Sequence, residues 1–261
     1  FIKRINSMKE KIKEILNIIN YINLKKIYTL RNKDVFIIGS APNPNLELYS
    51  ENQLIISCNA SALSAKENNL PDPHLTIVDN ELIDNNVAFI KPSRSKIINN
   101  DLLKNIKLGK LISVQSNSSK GGSPQILKAK YDSYDSINNS LRRMILKSVL
   151  KINWIEQDDR SLASTGGFTI ALCAFLNAKT ITFEGFNLFQ GESNDLKHFY
   201  DTDNKIPENI SKLNTKAHSL ADSLIISCLV AQNIKIFTTE QDFFPLLNNW
   251  GKPEFKYKKD N

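Results

Sequence analysis

"STGGFTIALCAFLNAKTITFEGFN", residues 164–187, sets the class of the fold. Two hydroxyls and two glycines precede an apolar run, 168–176, and a second apolar run then ends in Gly-Phe-Asn. The first run is long enough for a helix, and the second reads as a strand. A helix followed at once by an apolar strand is the repeating unit of a parallel sheet covered on both faces. "STGG" itself has two readings. Ser164 or Thr165 caps the helix. Alternatively, the first-turn amides, cleared of side chains by the glycines, hold an anion. These four residues leave both open.

The same form recurs outward from this block. "DVFIIGSAPNPN" (34–45), "QLIISCNAS" (53–61), "PHLTIVDN" (73–80), "KLISVQSN" (110–117) and "IKIFTTE" (234–240) are apolar runs that end in small or polar residues. None alternates, as expected of strands buried on both faces. Helical patterns fill 137–152 and 216–232. The chain is therefore expected to form an α/β fold, a doubly wound, mostly parallel, Rossmann-like sheet over residues 34–245. A basic amphipathic helix and linker, 1–33, precedes it, and a tail, 246–261, follows. The polar stretch 190–215 is too long for an ordinary connection and reads as a lid over a site.

Composition narrows the function. The chain has 261 residues and a net charge of +7. Residues 1–33 hold nine basic and two acidic side chains, so the remaining 25 of each sign leave the body neutral. A nucleic-acid binder spreads basic residues over its binding face, so no nucleic-acid partner is expected. Ile2, Ile5, Met8, Ile12, Ile15, Leu16, Ile19 and Ile22 recur at helical spacing among lysines. That helix packs on its own domain or a neighbour, or it rests on an acidic membrane surface. No apolar stretch reaches transmembrane length. The chain opens on Phe1, as an internal piece of a longer protein would. Cys58, Cys173 and Cys228 lie in apolar runs without CxxC spacing and read as buried free thiols of a reducing, cytoplasmic compartment.

In an open parallel sheet the ligand lies beyond the carboxyl ends of the strands. The residues leaving those ends are Gly39, Ser40 and Ala41, then Asn59, Asp79 and Asn80, Ser116 and Asn117, and finally Gly185, Phe186 and Asn187. Small residues permit close approach, and amides and hydroxyls suit a sugar–base–phosphate ligand. Neither G-x-x-x-x-G-K-[ST] nor G-x-G-x-x-G is present, which disfavours triphosphatases and dinucleotide enzymes. No histidine, cysteine and carboxylate set has metal-ligand spacing, so no metal and no cofactor is expected. A magnesium-dependent pyrophosphate chemistry would have to draw on Asp79, Glu184 and Asp201. Of the three histidines, His74 opens a strand and reads as structural, His198 lies in the lid stretch, and His218 opens the last helix in "KAHSLAD". A histidine there is a natural neutral-pH general base.

In order, "IIGSAPN", "SCNAS", "ASTGGFTIALCAFLNAKTITFEGFNLF" and "AHS" resemble the sialyltransferases, above all the small bacterial enzymes that sialylate lipooligosaccharide. The Ser-Thr-Gly block with its helix, strand and Gly-Phe also resembles the small sialylmotif of the animal enzymes. The resemblance spans residues 34–240, strongest at 163–189 and weakest at 80–160. It implies an inverting, metal-independent transfer from a CMP-sugar to a glycan or glycolipid hydroxyl. By position it implies that Gly39, Ser40 and Ala41 line the CMP phosphate, where the bacterial family has Gly-Asn-Gly. Asn59, with Asp79 or Asn80, would contact phosphate and ribose. Ser164, Thr165 and Gly166 would hold the sugar carboxylate and nucleotide, and Gly185, Phe186 and Asn187 the cytidine. The family's arginine ahead of this block is Leu162 here. Its two phosphate-stabilising tyrosines fall at Phe189 and near His198 and Tyr200. His218 aligns with the general base. These departures leave two donors open, CMP-sialic acid and CMP-Kdo, the latter implying capsule or lipopolysaccharide synthesis. An inactive sugar-nucleotide-binding module of a multidomain protein is a third reading. The address implied is the cytoplasm, peripheral at the inner face of a membrane through residues 1–33, with a homo-oligomer among the partners.

Overall fold

The computed structural model describes residues 2–41, 43–85, 92–115, 122–151, 163–186 and 212–240; of residues 2–10, 92–93 and 212–220 it describes the backbone alone. Seven strands form one parallel sheet: β1 (Asp34–Ile38), β2 (Leu54–Cys58), β3 (Leu75–Asp79), β4 (Lys110–Val114), β5 (Ser133–Ile137), β6 (Thr180–Glu184) and β7 (Lys235–Phe237). Their spatial order is β5-β4-β3-β2-β1-β6-β7, and every pairing is parallel. The helices are α1 (Ile2–Ile27), α2 (Ser61–Glu67), α3 (Pro92–Asn99), α4 (Asn139–Leu150), α5 (Thr165–Phe175) and α6 (Lys212–Ala231). The expected doubly wound α/β sheet is what forms.

Burial follows the pleat. In β1, Val35 and Ile37 join one core cluster with residues of α1, α4, α5 and α6, while Phe36 and Ile38 point to the opposite face, against Ala65 of α2. Both faces are therefore dry, which explains the unbroken apolar runs. Helix α5 lies between the sheet and its neighbours α4 and α6. That is why Phe168, Ile170, Ala171, Leu172 and Cys173 are all fully buried and the helix has no polar side.

β5 departs from the sequence expectation. "SYDSI" was not expected as a strand, since it pairs only with β4 at the sheet edge and is mostly exposed. Helices α2 and α3 were not expected either. Cys58 and Cys173 are buried and Cys228 is half-buried, and all three are free thiols. Burial pushes the Cys58 thiol up to about 12 and that of Cys173 further. His74 precedes β3, at the edge opposite the strands' carboxyl ends, where its amide donates to Ile55 (2.8 Å).

Candidate active site

The strand order reverses between β1 and β6, the switch point at which a doubly wound sheet opens a crevice. Here the chain leaves β1 through Gly39-Ser40-Ala41 and β6 through Gly185-Phe186. The two exits are tied together: Gly39 N donates to Glu184 O (2.8 Å) and Ala41 N to Gly185 O (2.9 Å). A Cβ on Gly39 would stand 2.0 Å from the Gly185 carbonyl oxygen, so only glycine fits this approach. Gly185 takes a φ of +76°, which turns the chain out of the sheet.

The start of α5 joins the same place. The Phe186 ring packs edge-on against Phe183 (5.2 Å between centroids) and lies over Gly166, where a Cβ would come within 2.2 Å of it. Residues 39–41, 164–167 and 185–186, separated widely in sequence, thus form one surface at the switch point.

"STGG" is now resolved in its local structure. Ser164 is the N-cap of α5, and its Oγ accepts from Gly167 N (2.9 Å). A carboxylate also sits there, and it belongs to the chain: Asp222 of α6 accepts from Ser164 N (2.9 Å) and from Ser164 Oγ (2.5 Å). Gly167 makes room for it, since a Cβ would meet Asp222 Oδ1 at 2.0 Å. Ser164 is therefore spent on capping and on Asp222. The first-turn amides left to face a ligand are those of Thr165 and Gly166. Arg142 of α4 fixes the residue before the block, donating to Ala163 O (2.6 Å) while its guanidinium lies over the Phe168 ring.

The amides of Gly185 and Phe186 are engaged as well. Both donate to Glu240 Oε1, at 2.6 and 3.0 Å. What this exit offers a ligand is the half-buried Phe186 ring rather than its amide. Beneath it Glu184 accepts from the amide and hydroxyl of Thr239 (2.7 and 2.8 Å), and burial pushes its carboxyl up to about 7.

Asn59, Asp79 and Asn80 stand at the ends of β2 and β3. Asn59 adopts φ +53° and accepts from Asp79 N (2.9 Å), bracing the two exits. Asp79 caps the 3-10 turn 80–82 through Glu81 N (2.8 Å), and Asn80 is buried. Arg94 of α3 pairs with Glu81 beside Asp79, and burial lowers its guanidinium to about 10. Ser61 donates to Ile38 O (2.6 Å) and accepts from Cys58 N (2.7 Å), locking β1 to β2. Asp79 lies two strand spacings from β1, roughly 10 Å, on the far side of β2 from Gly185.

Helix α6 carries position 218. Its Asp222 grips the start of α5, and position 218 is one turn earlier on the same face of the helix, toward the carboxyl ends of the strands. Ser116, Asn117, Leu162, Asn187, Phe189, His198, Tyr200 and Asp201 lie outside the described residues, as do the tail 246–261 and the lid stretch up to 211; residues 212–215 of that stretch begin α6. Asp79 and Glu184, offered for a magnesium site, end strands three spacings apart, about 14 Å, and Glu184 is occupied by Thr239.

Asp222, Glu240, Arg94 and Arg142 were not singled out from the sequence. The polar residue nearest to a signal is Asp222, in the "AHSLAD" that follows the lid stretch.

No family model and no curated protein matches the sequence. Two solved structures are similar to the chain. One is the sialyltransferase CstII from Campylobacter jejuni in complex with a substrate analogue, CMP-3FNeuAc: 14% identity, a TM-score of 0.46, and coverage of 79% of this chain and 80% of that one. The other is a tyrosine-to-phenylalanine variant of the sialyltransferase Cst-II in complex with CMP: 16% identity, a TM-score of 0.47, and the same coverage.

Proposed function

We propose that the chain is a metal-independent, inverting glycosyltransferase that moves sialic acid from CMP-sialic acid to a glycan hydroxyl. The observation that carries this reading is the meeting of residues 39–41, 164–167 and 185–186 at the switch point, with α6 held against them so that position 218 lies one turn from Asp222. The sequence resemblance at 163–189 supplies the nucleotide and sugar.

In this mechanism the CMP phosphate lies against Gly39-Ser40-Ala41 and the amides of Thr165 and Gly166. Charge that builds on the phosphate oxygen as the glycosidic bond breaks is met there by backbone dipoles and a hydroxyl. The Phe186 ring supports the base. The acceptor oxygen attacks the anomeric carbon from the opposite face while the His218 imidazole takes its proton. Asn59 and Asp79 act at one remove, by bracing the strand exits.

Thermal shift across CMP, UDP and GDP sugars tests the nucleotide first, with stabilisation by CMP compounds alone as the expected result. CMP-sialic acid should release CMP in the presence of EDTA. His218→Ala should abolish that release and keep CMP binding. Turnover lost on chelation, or an active His218→Ala enzyme, overturns the mechanism, and turnover with CMP-Kdo in place of CMP-sialic acid overturns the choice of sugar.

A further inference from the structure

Helix α1 is amphipathic in the wrong sense for a helix that simply covers its own domain. Asn17 and Leu24 are buried and Tyr21 is half-buried, all on one stripe, which the buried Tyr28 continues just past the end of the helix. That stripe is tied down: Asn138 Nδ2 donates to Asn17 Oδ1 (3.0 Å), Tyr28 donates to Asp135 (2.5 Å), and Tyr21 packs edge-on against Phe175. Ile12, Ile15, Leu16, Ile19 and Ile22 lie on the other side, about 170° away at 100° per residue. Ile15 and Ile22 are 56% and 57% exposed. Among the described residues, the large apolar side chains that stand exposed are all on α1. A contiguous stripe confined to one helix is unlike the single exposed apolar residues of an ordinary surface.

Charge indicates what covers it. The described charged side chains of α1 are Lys11, Lys13, Lys25 and Lys26 against Glu14, and Arg31 and Lys33 follow directly. Lys11 and Lys26 fall on or beside the apolar stripe, while Glu14 projects toward the opposite side. Two such helices packed stripe to stripe would bring lysines together without acidic partners, which disfavours a second copy. An anionic lipid surface satisfies both features, taking up the isoleucines at its boundary and the lysines at its headgroups. No described helix is long and apolar enough to cross a membrane, so the contact is one of lying on the surface.

We infer that the outward isoleucine and lysine face of α1 docks the protein on an anionic lipid bilayer. Asn138 directly follows the carboxyl end of β5, so at Asn17 the helix has reached the edge of the sheet that bears the crevice, and it runs on from there toward Ile2. A bilayer under α1 therefore extends past the carboxyl edge of the sheet on its β5 side, four strand spacings, about 19 Å, from the β1–β6 switch point. This inference does not depend on the proposed transferase activity.

Co-sedimentation of the full chain with phosphatidylcholine vesicles, with and without phosphatidylglycerol, tests it. Partition onto the anionic vesicles should exceed that onto neutral ones by about tenfold or more, and high salt should lower it several-fold. Ile15→Ser/Ile19→Ser/Ile22→Ser should cut it by about tenfold, and Lys11→Gln/Lys26→Gln should remove most of the lipid selectivity. All five positions are exposed, so melting temperatures should be unchanged. Equal partition onto both vesicle types, or a triple serine variant that binds as well as the parent, overturns the inference. So does a dimer in light scattering that the serine variant abolishes, which would assign the stripe to a second copy.

Discussion

Glu184 is fully buried at the carboxyl end of β6 and is held by the amide and hydroxyl of Thr239. Burial, with the nearby charge of Glu240, raises its carboxyl from an ordinary 4.5 to about 7. Between those values the folded chain keeps a proton that the unfolded chain has lost. The contribution of Glu184 to stability is therefore present at low pH and is lost as pH rises toward 7. Glu184→Gln mimics the protonated acid, with an oxygen for the Thr239 amide and a donor for its hydroxyl. It should be progressively more stable than the parent from pH 5 to 8, by on the order of 3 kcal/mol at the top of that range. Urea denaturation of both proteins across this window checks it. Parallel stability curves would mean that the carboxyl titrates normally.

At the level of elements, the junction that matters is the clasp between α5 and α6. Asp222 is buried and accepts two hydrogen bonds from Ser164, so Asp222→Ala strands a cap amide and a hydroxyl and should destabilise by about 1–3 kcal/mol, with Asp222→Asn intermediate. Gly167→Ala should also destabilise, because its new Cβ meets the Asp222 carboxylate. In the Asp222→Ala background that obstacle is gone, so the same glycine change should cost less there than in the parent. Additive losses in a thermal-unfolding cycle would refute the clasp. The elements themselves were legible wherever burial writes a long apolar run: six of the strands and helices α4, α5 and α6 follow from the sequence directly. β5 was not, because an edge strand such as "SYDSI" buries little and needs few apolar residues. α2 and α3 were missed because one or two turns give little periodicity to read. The crevice was legible as a set of strand exits, since topology places those at one edge. Its internal bonds were not. Ser164 and Asp222 are 58 residues apart, and Gly185 and Glu240 are 55 apart, and nothing in either segment names the other.

The whole molecule divides into a covered sheet and a helix only half committed to it. From Asn17 onward α1 contributes to the core through Leu24, Tyr28 enters the same core directly after the helix ends, and Lys25 of α1 lies over the Phe175 ring. Residues 11–16, by contrast, are all exposed and bury nothing against the body. Residues 11–16 should therefore add little to global stability, although Ile12, Ile15 and Leu16 belong to the apolar stripe. A chain that starts at Asn17 should keep the melting temperature of the parent within a few degrees. One that starts at Thr29 loses Leu24 and Tyr28 from the core and leaves Asp135 without its phenol. Removing two such side chains costs about 5–10 kcal/mol, which lowers the melting temperature by roughly 20 °C in a protein of this size. Differential scanning calorimetry of the two truncations against the parent separates the cases. Equal losses from both would mean that α1 folds and melts as one unit, and the division at Asn17 would then be wrong.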